Sequence, residues 1–553
     1  MSRFLSLAKT QMKCIALTGL LLAGLSPFSA VQVQAASPMV VDSLDGPVTQ
    51  NEINSFKAYI LDLQPVVWPN TDSMQNEYAQ GKSGESIKAM GLMYELTGDA
   101  AILDRMIYFC NVLLSQRNDI LPAPYGQRTV WTNTVAPVWP GNSSGTASAD
   151  SANGDPIGHL ANCARLILKT PSIWNTTVPD GDPYGYGATY KQRATKFLAE
   201  ADYVINQFIF PKLLNLSNGN KYYFSSQSPY MTNGAMPWNQ QMMISYGLQN
   251  VAMAHELLGD NPSLVSQYDS IIQANVNWYF ANNSAKQVYT TSLGNTAYNW
   301  GYNPTLLSGE DNSHGSLDVA GFYRQFLSGR YGITAAQLKP IANMYADVMM
   351  RGPNDFAGKV DGTDGSGNSA PTTYARSGYL FLTALRPDMY YALANADLSR
   401  SGTSMDIFSR LMWAKNKRYQ NGGNLASGKT YSASSSWSSS YDAGKAFDGN
   451  VSSRWSASSG STSNQWISVD FGSTKSFNQV FIKESTYTRI TSYKLQSSND
   501  GTTFTDIAGT SGTSIGAGKT IDFNTVNARY VRLYITSASQ EPTVNEIEVY
   551  KMN

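Results

Sequence analysis

The stretch GEDNSHGSLD, Gly309 to Asp318, gathers Glu310, Asp311, His314 and Asp318 into a few residues of a chain with only three histidines. An imidazole becomes an effective base when a neighbouring carboxylate fixes its tautomer, and Glu310 or Asp311 is placed to do this for His314. Two other chemistries use the same residue types. Asp311, His314 and Asp318, spaced three and four apart, would share one helix face as metal ligands, although no second histidine is near in sequence. Glu310 or Asp311 paired with Glu85 would instead give the two carboxylates of a hydrolytic site. A purely structural role also fits, because acidic and amide residues ahead of helices are ordinary caps.

Similar polar segments recur ahead of helix-like runs. GKSGESIKAMG carries Glu85, GDPIGHLANCA His159, MPWNQQMMISYG Trp238, Asn239 and Gln240, and TTYARSGYLFL Tyr374 and Arg376. From Glu85 through His159, Asn239 and His314 to Arg376 the intervals are 74, 80, 75 and 62 residues, enough for a pair of helices plus long loops per unit. Apolar residues three and four apart fill the intervening stretches from about Asp42 to Tyr419. This pattern predicts an α/α toroid whose inner helices all start at one mouth, so that Glu85, His159, Asn239, Glu310, His314 and Arg376 converge on a single cavity. His255 sits inside an amphipathic helix and reads as structural.

Composition excludes several classes. The 553 residues, 42% of them hydrophobic, suffice for two cores, and 40 basic residues balance 40 acidic ones with no basic run, which argues against nucleic acid as a partner. Arg3, Lys9 and Lys13 precede the apolar run CIALTGLLLAGL, and Val33 and Ala35 suit a signal peptidase, so residues 1–35 read as a signal peptide and the mature protein as secreted and extracellular. No later stretch is apolar enough to span a membrane. Cys110 and Cys163 remain after export; both lie in apolar helix-like stretches, which favours buried thiols over a bridge. There is no phosphate-cradling loop, G-x-S-x-G elbow or zinc-type histidine pair, and no cofactor is expected for catalysis.

After the glycine-bearing segment from Asn421 to Lys429 the periodicity changes from helical to alternating, in runs such as QWISVDF, NQVFIKE and RYVRLYI. The domains expected are therefore 36–420, helical, and 421–553, built of strands. NLASGKTYSAS, AGKAFDGNVSSRWSA, YKLQSSNDGTTFTDIAG and NEIEVY, in this order, resemble a discoidin-type module, the coagulation-factor C-domain fold also found as a carbohydrate-binding module. The resemblance implies an eight-stranded β-sandwich of jelly-roll type. It further implies a structural calcium held by the Lys445 and Asn450 carbonyls with Asp448, Ser453 and Glu546. Ligand contacts in such modules lie on loops at one end, where Trp437, Tyr487 and Arg489 are the candidates.

A helical toroid with a sugar-binding appendage points to a polysaccharide-degrading enzyme. Elimination beside a uronate carboxyl needs groups that neutralise the carboxylate, a base and an acid. Asn239, Gln240 and Arg376 suit the first task, His314 or His159 the second and Tyr374 the third. In this chain order the helical half resembles toroidal polysaccharide lyases acting on alginate and glucuronan, although it reads PWNQQM where one alginate lyase group has a Trp-Asn-Asn-His signature. The resulting expectation is a lyase with Asn239, His314, Tyr374, Arg376, Glu310 and His159 as catalytic candidates, and Glu85, Trp238, Gln240 and Asp311 binding substrate. A hydrolase using Glu85 and Glu310, or a glycan-binding protein without catalysis, is the alternative. Sequence leaves the glycan and the oligomeric state open.

Overall fold

The computed structural model describes residues 37–484 and 487–552. The signal peptide expected over residues 1–35 lies outside them. Twelve α-helices occupy the first part of the chain: α1 (Gln50–Asp62), α2 (Met74–Ala79), α3 (Lys82–Thr97), α4 (Ala100–Ser115), α5 (Gly154–Leu168), α6 (Tyr190–Val204), α7 (Trp238–Leu258), α8 (Pro262–Phe280), α9 (Asn312–Ser328), α10 (Ala335–Met344), α11 (Tyr390–Ser401) and α12 (Met405–Gln420). A hairpin, β1 (Lys286–Thr290) and β2 (Thr296–Trp300), precedes α9, and a 3-10 run spans Ser377–Ala384.

Six of these segments close a ring. α3 packs on α5, α5 on α7, α7 on α9, α9 on the 3-10 run, that run on α12, and α12 back on α3. Glycines allow the close approaches: a Cβ at Gly158 would fall 2.1 Å from the Tyr246 ring, and one at Gly321 2.3 Å from Met242. α4, α6, α8 and α11 pack against ring members from outside. Contacts between segment starts show that the ring members run in parallel. Ser151, just before α5, bonds Gln240 in the first turn of α7 at 2.9 Å. The Gly378 amide donates to the Ser316 hydroxyl near the start of α9, and the Ser377 hydroxyl meets Asp406 in the first turn of α12. The loops leading into these segments therefore share one mouth.

The remaining chain forms β3 (Thr430–Ala433), β4 (Trp455–Ser456), β5 (Ser463–Lys483), β6 (Ile490–Ser498), β7 (Thr505–Asp506), β8 (Lys519–Ala538), β9 (Thr543–Val544) and β10 (Glu546–Tyr550). Their order is β7-β6-β8-β5-β10, with β3 also on β5, and β4 paired separately with β9. β5 and β8 are long and antiparallel, with register breaks at Asp522/Val526 and Ala528/Tyr530. Two separate apolar cores result, one drawn from Met39 to Ala414 and one from Ala426 to Val549. Trp455 is fully buried in the second. Lys339 links the two parts through the Asp522 carboxylate at 3.1 Å, and Arg418 donates to the Tyr550 hydroxyl at 3.3 Å.

Cys110 and Cys163 are free and buried. His255 is held between Asp202 and Asp260 at 2.8 and 2.6 Å, a structural placement. Among the described residues no helix is long and apolar enough to cross a membrane.

One fully buried ion pair secures the ends of the helical chain. Lys415 of α12 meets both oxygens of Glu52 at 2.7 and 2.9 Å, while Glu52 also completes the capping box of α1 with Thr49. Glu52→Gln keeps the capping geometry and strands the ammonium, so urea unfolding should show a loss of about 3–5 kcal/mol; a change within about 0.5 kcal/mol would mean the pair is dispensable.

Candidate functional site

The mouth of the ring brings five polar side chains into one connected group. Asp311 is the N-cap of α9: its Oδ1 accepts the Ser313 and His314 amides, both at 2.9 Å, and its Oδ2 lies 2.5 Å from His314 Nδ1. One carboxylate thus starts the helix and orients the imidazole. Burial opposes ionisation of Asp311, but the bonds from His314 and the amides outweigh it and hold the carboxyl below its usual range. The Tyr302 ring lies against His314, centroids 4.9 Å apart. The Tyr302 hydroxyl accepts from Gln240 Nε2 at 3.3 Å, and Gln240 is bonded in turn by Ser151. Burial raises the Tyr302 phenol, so it stays protonated at neutral pH.

Glu310 completes the group from beneath. It is fully buried; Oε1 accepts the Asp311 amide at 2.8 Å and Oε2 has no partner. Burial first, then the nearby Asp318 and Asp311 carboxylates, push it up to about 10, so it is a neutral acid at pH 7. Asp318, also buried, accepts from Trp300 Nε1 at 3.0 Å and is pushed up to about 7, mainly by burial. Ligand atoms of Glu310, Asp311 and His314 lie within 4.8 Å of one another, close enough to share a cation, and of these Asp311 Oδ2 and His314 Nδ1 face each other.

The other sequence candidates stand outside this bonded group. His159 is fully buried, Nε2 2.7 Å from the Tyr78 carbonyl, and burial holds it well below its ordinary value; it is a neutral core histidine and cannot act as the base. Trp238 is 1% exposed and packs edge-on against Trp278 and Tyr279, so it is a core residue rather than a substrate platform. Asn239 is buried, with its side-chain oxygen unpartnered. Of the carboxylates named for a hydrolytic pair, Glu310 is fully enclosed. Glu85 lies instead beside Asp406 and Arg410, raised to about 7 by burial and by Asp406. Tyr374 is flanked by Arg400, whose guanidinium carbon is 3.7 Å from the ring centroid, and by Arg376 at 6.0 Å. Thr372 connects this segment to α9, accepting from Asn312 and donating to the Tyr374 carbonyl.

Sequence reading missed Tyr302, Trp300, Arg400 and Asp406. The first two come from β2 and the loop after it, where no helical spacing marks them. The other two lie on the last inner and outer helices, outside the repeat of polar segments.

In the C-terminal domain, oxygens crowd together without enough donors. The Ser453 hydroxyl has one proton, yet lies 2.8 Å from each Asp448 oxygen, 2.8 Å from the Asn450 carbonyl and 3.2 Å from that of Lys445. Both Glu546 oxygens are buried without partners, and burial, Glu548 and Asp448 push this carboxyl up to about 9. An all-oxygen set of this kind suits a hard divalent cation. At one end of the domain Trp437 and Tyr487 are half exposed. They are connected through Ser456, which accepts from the Trp437 amide and pairs with Thr543, whose hydroxyl reaches the Tyr487 carbonyl. Arg489 lies 4.8 Å from the Tyr487 ring and bonds Glu541.

Residues 430–549 match the F5/8 type C domain family, and the C-terminal domain belongs to it. Among solved structures, chitosan-binding module 1 of a chitosanase/glucanase from Paenibacillus sp. IK-5 is 36% identical, with a TM-score of 0.22, over 23% of this chain and 98% of that one. The family 32 CBM from C. perfringens NanJ in complex with galactose is 25% identical, with a TM-score of 0.20, over 22% and 93%. A putative alpha-L-fucosidase from Bacteroides thetaiotaomicron is 22% identical, with a TM-score of 0.24, over 26% and 33%, so this chain spans about a third of that protein. No curated protein matches the chain.

The neutral state of Glu310 has a measurable consequence. Between the ordinary carboxyl pKa and about 10 the folded protein holds a proton that the unfolded chain has lost, so the Glu310 contribution to stability falls as pH rises. Infrared difference spectra of wild type against Glu310→Gln should show a protonated carboxyl band at pH 7, and the variant should lose stability less steeply between pH 5 and 9. A carboxylate band with parallel stability curves would mean Glu310 is ionised.

Proposed function

We propose that the protein is a secreted polysaccharide lyase, an α/α toroid over residues 36–420 that cleaves a uronate-containing glycan by β-elimination. An F5/8 type C module over 421–553 holds it to carbohydrate. The observation that carries this reading is the Asp311–His314 pair with Tyr302 against the imidazole and Gln240 on the phenol. With Nδ1–H given to Asp311, His314 Nε2 keeps its lone pair and takes the proton beside the uronate carboxyl. Amide and guanidinium donors at the mouth, Gln240 and Arg376 first, offset the charge that builds on the carboxylate. Tyr302 replaces Tyr374 as the favoured proton donor to the leaving oxygen, because it touches the imidazole whereas the Tyr374 ring is covered by Arg400.

Hydrolysis is the second reading. Glu85, raised to about 7 beside Asp406, supplies a carboxylate pair of which one member holds its proton near neutrality. The chitosan-binding modules, about a third identical to the C-terminal domain, come by their title from a chitosanase/glucanase. Exposed Trp437 and Tyr487 suit sugar faces, and Lys445, Asp448, Asn450, Ser453 and Glu546 suit a structural calcium that stiffens the loop and takes no part in catalysis.

Incubation with alginate, glucuronan and pectate should yield an ultraviolet-absorbing unsaturated product. His314→Ala should abolish it and Tyr302→Phe lower it about 10²-fold or more, with circular dichroism unchanged. Asp311→Asn keeps a good cap while removing the anionic acceptor, and should also cost about 10²-fold. If Glu85→Gln is fatal while His314→Ala retains most turnover, the hydrolytic reading replaces this one. Separately, calcium should raise the melting temperature of wild type and not of Glu546→Ala; equal responses would remove these residues from the cation site.

A further inference from the structure

A cavity of about 290 Å³ lies between the middle and C-terminal turns of α3, α5, α7 and α9, closed on the remaining side by Phe381 and the first turns of α12. It adjoins the Glu85 side of the mouth, since Lys88, Asp406 and Arg410 in its wall also act on Glu85, and lies away from His314. His314 and Leu327 stand 13 residues apart on α9, about 20 Å along the axis.

The walls of this cavity are strongly basic. Lys88, Arg165, Lys169, Arg324 and Arg410 line it, against Glu95 and Asp406, with Asp155 behind Lys88. Several of these charges are committed: Arg165 is fixed by Glu95, Asn162 and Asn250, and Arg410 by Asp406 and Ser377. Arg324 is not. It is half-buried with its guanidinium 4.8 Å over the Tyr246 ring, and among the described residues no carboxylate or carbonyl accepts from it. Lys88 and Arg410 repel it while Asp155 and Asp406 attract it, and both carboxylates are bonded to those other two cations rather than to Arg324. A guanidinium has five donors in a fixed fork suited to an oxyanion, and leaving all of them unmet in a polar cavity is unusual. Gln249 and Ser328 stand on the same wall as partners for hydroxyl groups. The volume is at the small end for ligand pockets.

We propose that this cavity is a second ligand site, taking a small hydroxylated oxyanion of sugar size through the unpaired Arg324 guanidinium, with Lys88 and Arg410 beside it. The shared chemistry admits two sources, a uronate from a degraded glycan or a sugar phosphate. The inference rests on the elimination reading, because under the hydrolytic one Asp406 in this wall would serve Glu85.

Isothermal titration of the mature protein with sodium glucuronate, glucose 6-phosphate and glucose tests it. One or both anions should bind at one site per chain, with glucose at least tenfold weaker; the tighter anion names the source. Arg324→Gln should weaken the anion at least tenfold. Lys169→Glu, an exposed rim change that leaves the core untouched, should weaken it several-fold, which keeps the test valid if the arginine variant misfolds. His314→Ala should bind as wild type does. Absence of binding by both anions at millimolar concentration, equal binding of glucose, or anion affinity unchanged in folded Arg324→Gln or in Lys169→Glu would overturn the proposal.

Discussion

The arrangement rests on a geometric constraint: the inner segments of the ring run in parallel and begin side by side. Hydrogen bonds from Ser151 to Gln240, from Gly378 to Ser316 and between Ser377 and Asp406 tie one start to the next. Residues far apart in sequence meet only because these starts are in register. Helix starts also concentrate unpaired backbone donors, which favours carboxylates there. Asp311 meets that structural demand with one oxygen and holds the imidazole with the other.

Burial then divides the carboxylates at the mouth into different tasks. Asp311 collects enough donors to stay ionised, whereas Glu310, a single residue earlier, is enclosed with one oxygen unmet and stays neutral. An ionised orienting group and a neutral acid flank His314 at the mouth, next to a phenol that burial keeps protonated. Burial acts likewise on Glu546, which is pushed up to about 9 with Glu548 and Asp448 nearby.

Much of this was legible in the sequence where local pattern and tertiary demand agree. The change of periodicity near Asn421 separates two cores, and the spacing of polar segments corresponds to the starts of α3, α5, α7, α9 and the 3-10 run. Asp311 stands three residues before His314, so the sequence offered this pairing, with Glu310 as an equal alternative that burial then set aside. His159 misled because a histidine before an apolar run looks the same whether it faces a cavity or the Tyr78 carbonyl. Trp238 misled for a like reason, since aromatic faces suit a sugar and a core equally. Tyr302 was invisible because its position depends on how the loop after β2 crosses the mouth. The basic cavity was invisible too, because its charges come singly from separate helices, each looking like a solvated face.

The central claim is that His314 removes a proton rather than activating water. Digestion of the responsive polyuronate in oxygen-18-labelled water, followed by mass spectrometry of the fragments, tests it most directly. Elimination predicts fragments with unsaturated non-reducing ends and no labelled oxygen introduced by cleavage. Saturated ends with one labelled oxygen per bond broken would contradict it and place the chemistry on the Glu85 and Asp406 side of the ring.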